Sequence, residues 1–149
     1  VDFREDVHAS EELMQRVSEN YRKVRNTFRN MLQNLFDFEP QANSVAFEQM
    51  DSLDQYMLLR TRGLTEELLG WYEAFDFHRI YQRVVEFCAV DLSALYFDVL
   101  KDRLYTFAPH TRSRRSAQSA MYLIAHALVR LLAPIRLFPA DEIWEFLPA

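Results

Sequence analysis

Apolar residues recur at helical spacing along nearly the whole chain. The first series is Leu13, Val17, Tyr21, Val24, Phe28, Met31 and Leu35, and steps of three or four residues put such positions on one helix face. Ser10, followed by Glu11 and Glu12, is placed to cap it. The pattern predicts a first helix from Ser10 to about Phe36. Asp37 to Met50 holds Pro40, Asn43 and Ser44, sustains no period, and reads as a loop. A second helix opens at Ser52 and carries Leu53, Met57, Leu64, Leu68, Trp71 and Phe75. Gly63 and Gly70 weaken it by roughly 1 kcal/mol each relative to alanine. Asp76 is placed to cap a third helix with the stripe Ile80, Val84, Cys88, Leu95 and Val99, which stops before Pro109. A fourth begins at Arg112 or Ser113, presents Ala117, Met121, Ile124, Leu128 and Leu131, and is closed or kinked by Pro134. Pro139 suits the first turn of a fifth, over Ala140 to Leu147.

Helices of about 25 residues span roughly 38 Å, and connections this short join antiparallel neighbours. The predicted fold is therefore all-α, an elongated up-down antiparallel bundle of four long helices plus the start of a fifth. Residues 10–149 form one helical domain with its C-terminal part cut short, and residues 1–9 read as a connector from a preceding domain. The presence of only two glycines argues against folds built on glycine turns. Cys88 is the single cysteine, so no internal disulfide and no multi-cysteine zinc cluster can form, which suits a reducing, cytoplasmic setting. No apolar run approaches the ~18 residues of a membrane span, so no membrane partner is expected.

The net charge of -5 argues weakly against nucleic acid, but the charges are unevenly placed. From Arg103 to Ala140 there is no Asp or Glu, while Arg103, Arg112, Arg114, Arg115, Arg130 and Arg136 all fall there. Fifteen of the 17 basic residues are arginine, which suits paired recognition of phosphate or carboxylate and also follows from base composition alone. Covalent chemistry finds little support. None of His8, His78, His110 and His126 follows a glutamate by three positions, the spacing a carboxylate-bridged metal pair needs in a bundle. Cys88 lies on an apolar stripe and reads as a small hydrophobe. Neither a catalytic residue nor a metal ligand is assigned.

The run from Asp91 to Tyr105 is dense in charge for a helix core. At 100° per residue, Asp91, Asp98 and Asp102 share a side with Ile80, Val84 and Leu95 and point along the bundle seam. Buried carboxylates need partners, and Arg25 and Arg114 occupy flank or inward positions that would supply them. A catalytic carboxylate pair is the competing reading, with no acid-base companion in support. A second set lines polar stripes: Arg22, Asn26, Arg29 and Gln33 on the first helix, and Arg115, Ser119, Tyr122, His126 and Arg130 on the fourth. Such stripes grip a phosphate backbone or simply face solvent.

Read together, Tyr21-Arg-Lys-Val-Arg25-Asn-Thr27, Asn34-Leu-Phe-Asp-Phe38, Phe77-His-Arg-Ile-Tyr81-Gln, Phe87-Cys, the Asp91 to Tyr105 run, Arg114-Arg-Ser-Ala-Gln118, Leu131-Leu-Ala-Pro-Ile135 and Glu142-Ile-Trp144 resemble the anticodon-binding domain of isoleucyl-tRNA synthetases. The likeness runs in order over essentially the whole chain. The valine, leucine and methionine enzymes share the helical plan and the closing motifs, whereas Asp-Leu-Ser with Lys-Asp-Arg-Leu-Tyr resembles the isoleucine branch. Pro139, where the family usually has a threonine cap, and Thr61-Arg-Gly63 depart from the pattern.

The resemblance implies part of a class I aminoacyl-tRNA synthetase, an isoleucine-tRNA ligase whose catalytic domain precedes Val1. Without the family's His-Ile-Gly-His and Lys-Met-Ser-Lys-Ser motifs, this piece alone is expected to be inactive and without a cofactor. ATP and magnesium would belong to the catalytic domain, and zinc to a C-terminal module. The implied partners are isoleucine tRNA and the other domains of the same polypeptide, not DNA. Face and charge nominate Arg22, Lys23, Asn26, Arg29, Arg112, Arg115 and Arg130 as RNA contacts. The alternatives are the corresponding domain of a valine-type enzyme and a free-standing helical protein-interaction module.

Overall fold

The computed structural model describes the backbone of residues 3–106 and 111–135, and the side chains of 8–101, 103–104 and 111–134. Among the described residues every regular element is helical. The first long helix, α1, is Phe3–Gln33. It begins seven residues earlier than the capping signal at Ser10 predicts. No glycine or proline interrupts Phe3 to Gln33, and serine inside a helix costs only a few tenths of a kcal/mol. The predicted loop contains one short helix, α2 (Pro40–Asn43), whose proline occupies the first turn, and a 3-10 turn at Phe47–Gln49. The second long helix, α3, is Ser52–Glu73.

The third predicted helix is continuous but not uniform. It comprises α4 (Phe77–Glu86), a π-helical segment (Phe87–Phe97) and α5 (Asp98–Thr106). One buried series runs its whole length, Ile80, Val84, Cys88, Leu92, Tyr96, Leu100 and Leu104, each four positions after the last, with Val85, Phe87, Asp91 and Phe97 buried beside it. In an uninterrupted α-helix each such step overshoots a full turn by about 40°, so the series would wind away from the core. The i to i+5 bonding of the π segment widens the turn and keeps the series on one side. This corrects the predicted stripe: Leu95 and Val99 are exposed, and their places are taken by Leu92, Tyr96 and Leu100.

The last long helix, α6, is Arg112–Leu132, followed by a 3-10 turn at Ala133–Ile135 that contains Pro134. Thr111 caps it, accepting the Arg114 N–H. α6 packs against α1, α2, α3 and α5, and every residue from Arg114 to Met121 is buried. Ser116, Ala117, Ser119 and Ala120 allow this, because small side chains let neighbouring backbone approach on all sides. Val24, Phe28, Met31 and Leu35 of the α1 region, Met57, Leu64 and Leu68 of α3, and Met121, Ile124 and Leu128 of α6 share one core with the third-helix series. The predicted fifth helix, 140–147, lies outside the described residues.

Candidate functional site

Two polar networks sit at the end of the bundle where α6 begins. The first is centred on Asp37, in the turn after α1. Arg114 donates to its carboxylate through Nη1 at 2.7 Å and Nη2 at 3.2 Å, and Gln118 Nε2 donates to Oδ1 at 2.8 Å. Burial raises the Asp37 pKa, but these hydrogen bonds and the charges of Arg114 and Arg115 outweigh it and hold the carboxyl below its ordinary value. Arg115 Nη1 turns to the Asp37 carbonyl at 2.7 Å and to Gln118 Oε1 at 3.0 Å. The same face of α6 binds the rest of the connection. Gln118 donates to the Asn34 carbonyl, and the Ser119 and Ser116 hydroxyls accept the N–H groups of Val45 and Asp51. Arg114-Arg-Ser-Ala-Gln118 is thus a surface cut to fit one irregular stretch of backbone, whose polar groups would otherwise be buried without partners.

The second network is centred on Asp54, which is fully buried on α3. Its Oδ1 accepts from the Tyr96 hydroxyl at 2.6 Å, and its Oδ2 accepts from Arg103 Nη1 at 2.8 Å and Ser116 Oγ at 2.6 Å. Burial and the neighbouring Asp54 charge push the Tyr96 phenol well above its usual value, so it stays a donor. Arg103 also meets Asp51 at 3.1 Å, and Ser113 donates to Asp51 at 2.5 Å. One carboxylate thus joins α3, the π segment, α5 and α6.

These contacts correct the predicted ion pairs. Asp91 is buried and paired, as the sequence suggests, but with Arg60 at 3.0 Å and Arg83 at 4.0 Å, not with Arg25 or Arg114. Asp98 is exposed and meets Lys101 one turn along. The wider π turn separates the two aspartates that a uniform 100° step places together. The side chain of Asp102 lies outside the description. Arg114 is buried as expected, with Asp37 as its partner, and Arg25 is exposed. Asp37, Asp51, Asp54, Tyr96 and Arg103 escape the sequence reading. The signal for Asp54 is present, since Asp54, Met57, Thr61, Leu64 and Leu68 follow one buried helical stripe.

The nominated RNA contacts divide in two. Arg22, Lys23, Asn26 and Arg29 are exposed on α1, and Arg25 joins them. Arg22 to Arg29 extends about 10 Å along the axis. Arg112 and Arg130 are also exposed; Arg112 donates to the Gln49 carbonyl at 2.8 Å. Arg115 is corrected: its guanidinium is buried in the Asp37 network and is not presented to a ligand. Ser119, read as part of the same stripe, is buried too. The outward stripe fails there because the first half of α6 is enclosed by its neighbours.

Among the described residues no group of three His, Cys, Asp or Glu side chains converges as a metal site, and no helix is long and apolar enough to cross a membrane. Cys88 is buried, and burial raises its thiol to about 12.

A family model described as the anticodon-binding domain of tRNA ligase matches residues 54–148. The chain is 46% identical over 147 residues to the isoleucine–tRNA ligase of Teredinibacter turnerae, 49% to that of Nitrosococcus oceani and 42% to that of Natranaerobius thermophilus. Each match covers 99% of this chain and 16% of the relative's length, so the chain spans about one sixth of the curated relatives it matches.

Proposed function

Because the chain belongs to the family of anticodon-binding domains of tRNA ligases, we propose that it is the part of an isoleucine–tRNA ligase that holds the anticodon arm of isoleucine tRNA. The observation that carries the reading is the exposed basic stripe Arg22, Lys23, Arg25, Asn26 and Arg29 on a helix whose opposite face is locked into the core. Arg112 and Arg130 add charge on α6. Guanidinium and amide groups on a rigid helix suit phosphate and sugar contacts, which fix position without reading sequence. The task is to hold the tRNA so that its acceptor end meets a catalytic domain elsewhere in the polypeptide. ATP, magnesium and any zinc are assigned to those other domains. The isoleucine ligases among the relatives favour this branch over a valine-type enzyme or a free-standing protein-interaction module.

Equilibrium titration with isoleucine tRNA tests the reading. Affinity should fall steeply between about 50 and 200 mM salt, and Arg22→Ala with Arg29→Ala should reduce the salt slope by about two. Binding insensitive to both would overturn it.

A further inference from the structure

At the opposite end of the bundle, the turn between α3 and α4 presents an aromatic residue in a backbone conformation that disfavours it. Asp76 N–H donates to the Trp71 carbonyl at 2.9 Å and Phe75 N–H to the Tyr72 carbonyl at 3.1 Å. This bonding puts Phe75 where a helix end usually carries a left-handed glycine. Phe75 has φ 58°, and among the described residues it is the one non-glycine with positive φ. Burial gives nothing in return, because Phe75 is 77% exposed.

The ring is the outermost member of a supported series. Phe75 and Phe77 meet edge to face with centroids 6.3 Å apart, and Phe77 meets Tyr72 in the same manner at 6.0 Å. The Tyr72 hydroxyl donates to the Leu131 carbonyl of α6, which ties the inner end to the core. Alongside, the Arg79 guanidinium carbon lies 5.5 Å from the Trp71 ring centroid, with Asp76 at 3.5 Å from Arg79 Nε. The series is therefore braced from within and open at its tip.

We propose that Phe75 is a stacking platform for an unpaired RNA base, with Arg79 supplying positive charge beside it. This rests on the RNA-binding reading above. Braced aromatic rings with a neighbouring arginine suit single-stranded nucleic acid, because every base has a π-face. A docked protein face calls for a contiguous apolar centre. Here polar and charged residues, Glu73, Asp76, His78 and Arg79, alternate with the exposed rings along the turn. The strained backbone then has a use, since it holds the ring out of the core.

Two RNA probes separate the possibilities: a hairpin with an unpaired loop, and a blunt duplex of the same stem. Phe75→Leu keeps apolar bulk and removes the π-face. It should weaken hairpin binding about tenfold while leaving duplex binding and the salt slope unchanged, and Phe75→Tyr should bind as the unsubstituted chain does. In a Trp144→Phe background, the hairpin and not the duplex should quench Trp71 fluorescence. Equal hairpin affinity of Phe75→Leu and the unsubstituted chain, with salt-sensitive binding intact, overturns the platform alone and leaves the ring to a protein contact. Absence of binding to either probe overturns both readings.

Discussion

Arg114 holds Asp37 through both terminal nitrogens, at 2.7 and 3.2 Å, across 77 positions of sequence. The pair joins the first residue of a motif on α6 to the turn that ends α1. It closes the bundle where the chain is least regular.

Removing the Asp37 charge should therefore be costly. Asp37→Asn leaves the buried Arg114 guanidinium short of a counter-charge and should destabilise the chain by about 2–3 kcal/mol, at the low end for a broken buried pair because Asp37 still touches water. Thermal or urea melting measures this.

The same pair sets a pH dependence. A carboxyl lowered on folding contributes stability that is fully present above its unfolded value, here near 3.8, and is lost as pH falls through the folded value. Melting temperature of the unsubstituted chain should fall more steeply below about pH 4 than that of Asp37→Asn. Parallel curves would show that Asp37 is not a source of the acid sensitivity.

Asp54 and Asp98 should behave oppositely. Asp54→Ala strands Tyr96, Ser116 and Arg103 inside the core and should cost about 3–5 kcal/mol. Asp98 has a side chain 66% exposed, so Asp98→Ala should lie within about 0.5 kcal/mol of the unsubstituted chain. Comparable losses from the two substitutions would contradict the placement of both residues.

Gly63 is exposed inside α3, and a Cβ added there meets nothing within 4 Å. Gly63→Ala should stabilise the chain by about 0.5–1 kcal/mol through helix propensity alone. Denaturant unfolding with an unchanged m-value is the check.

Cys88 should be silent in the folded chain. With its thiol held near 12 by burial, a thiol reagent at about pH 8 should label it only as fast as the chain unfolds, and at once in denaturant. Rapid labelling under native conditions would place Cys88 nearer the surface.

Although Leu13 and Val17 of the first predicted stripe and Phe75 of the second are exposed, sequence alone determined the order of helices, the starts of α3 and α6, the buried face of α6, the buried positions Val24, Phe28, Met31 and Leu35 of the first stripe and Met57, Leu64 and Leu68 of the second, and, by resemblance, the family. These depend on local quantities: apolar period, capping residues and the places where proline falls. Other features were decided only when the helices packed. Asp91 was legible as a buried carboxylate, but its partner Arg60 lies on another helix and no spacing along the chain points to it. The π winding separated Asp91 from Asp98, because seven residues subtend a different angle when the turn widens. Arg115 and Arg130 lie on one predicted stripe, yet one is buried and the other exposed, since a helix does not encode how far along its length neighbours enclose it. Periodicity fixes a direction around one axis; which guanidinium meets which carboxylate, and which remains for a ligand, depends on the distances and angles between axes.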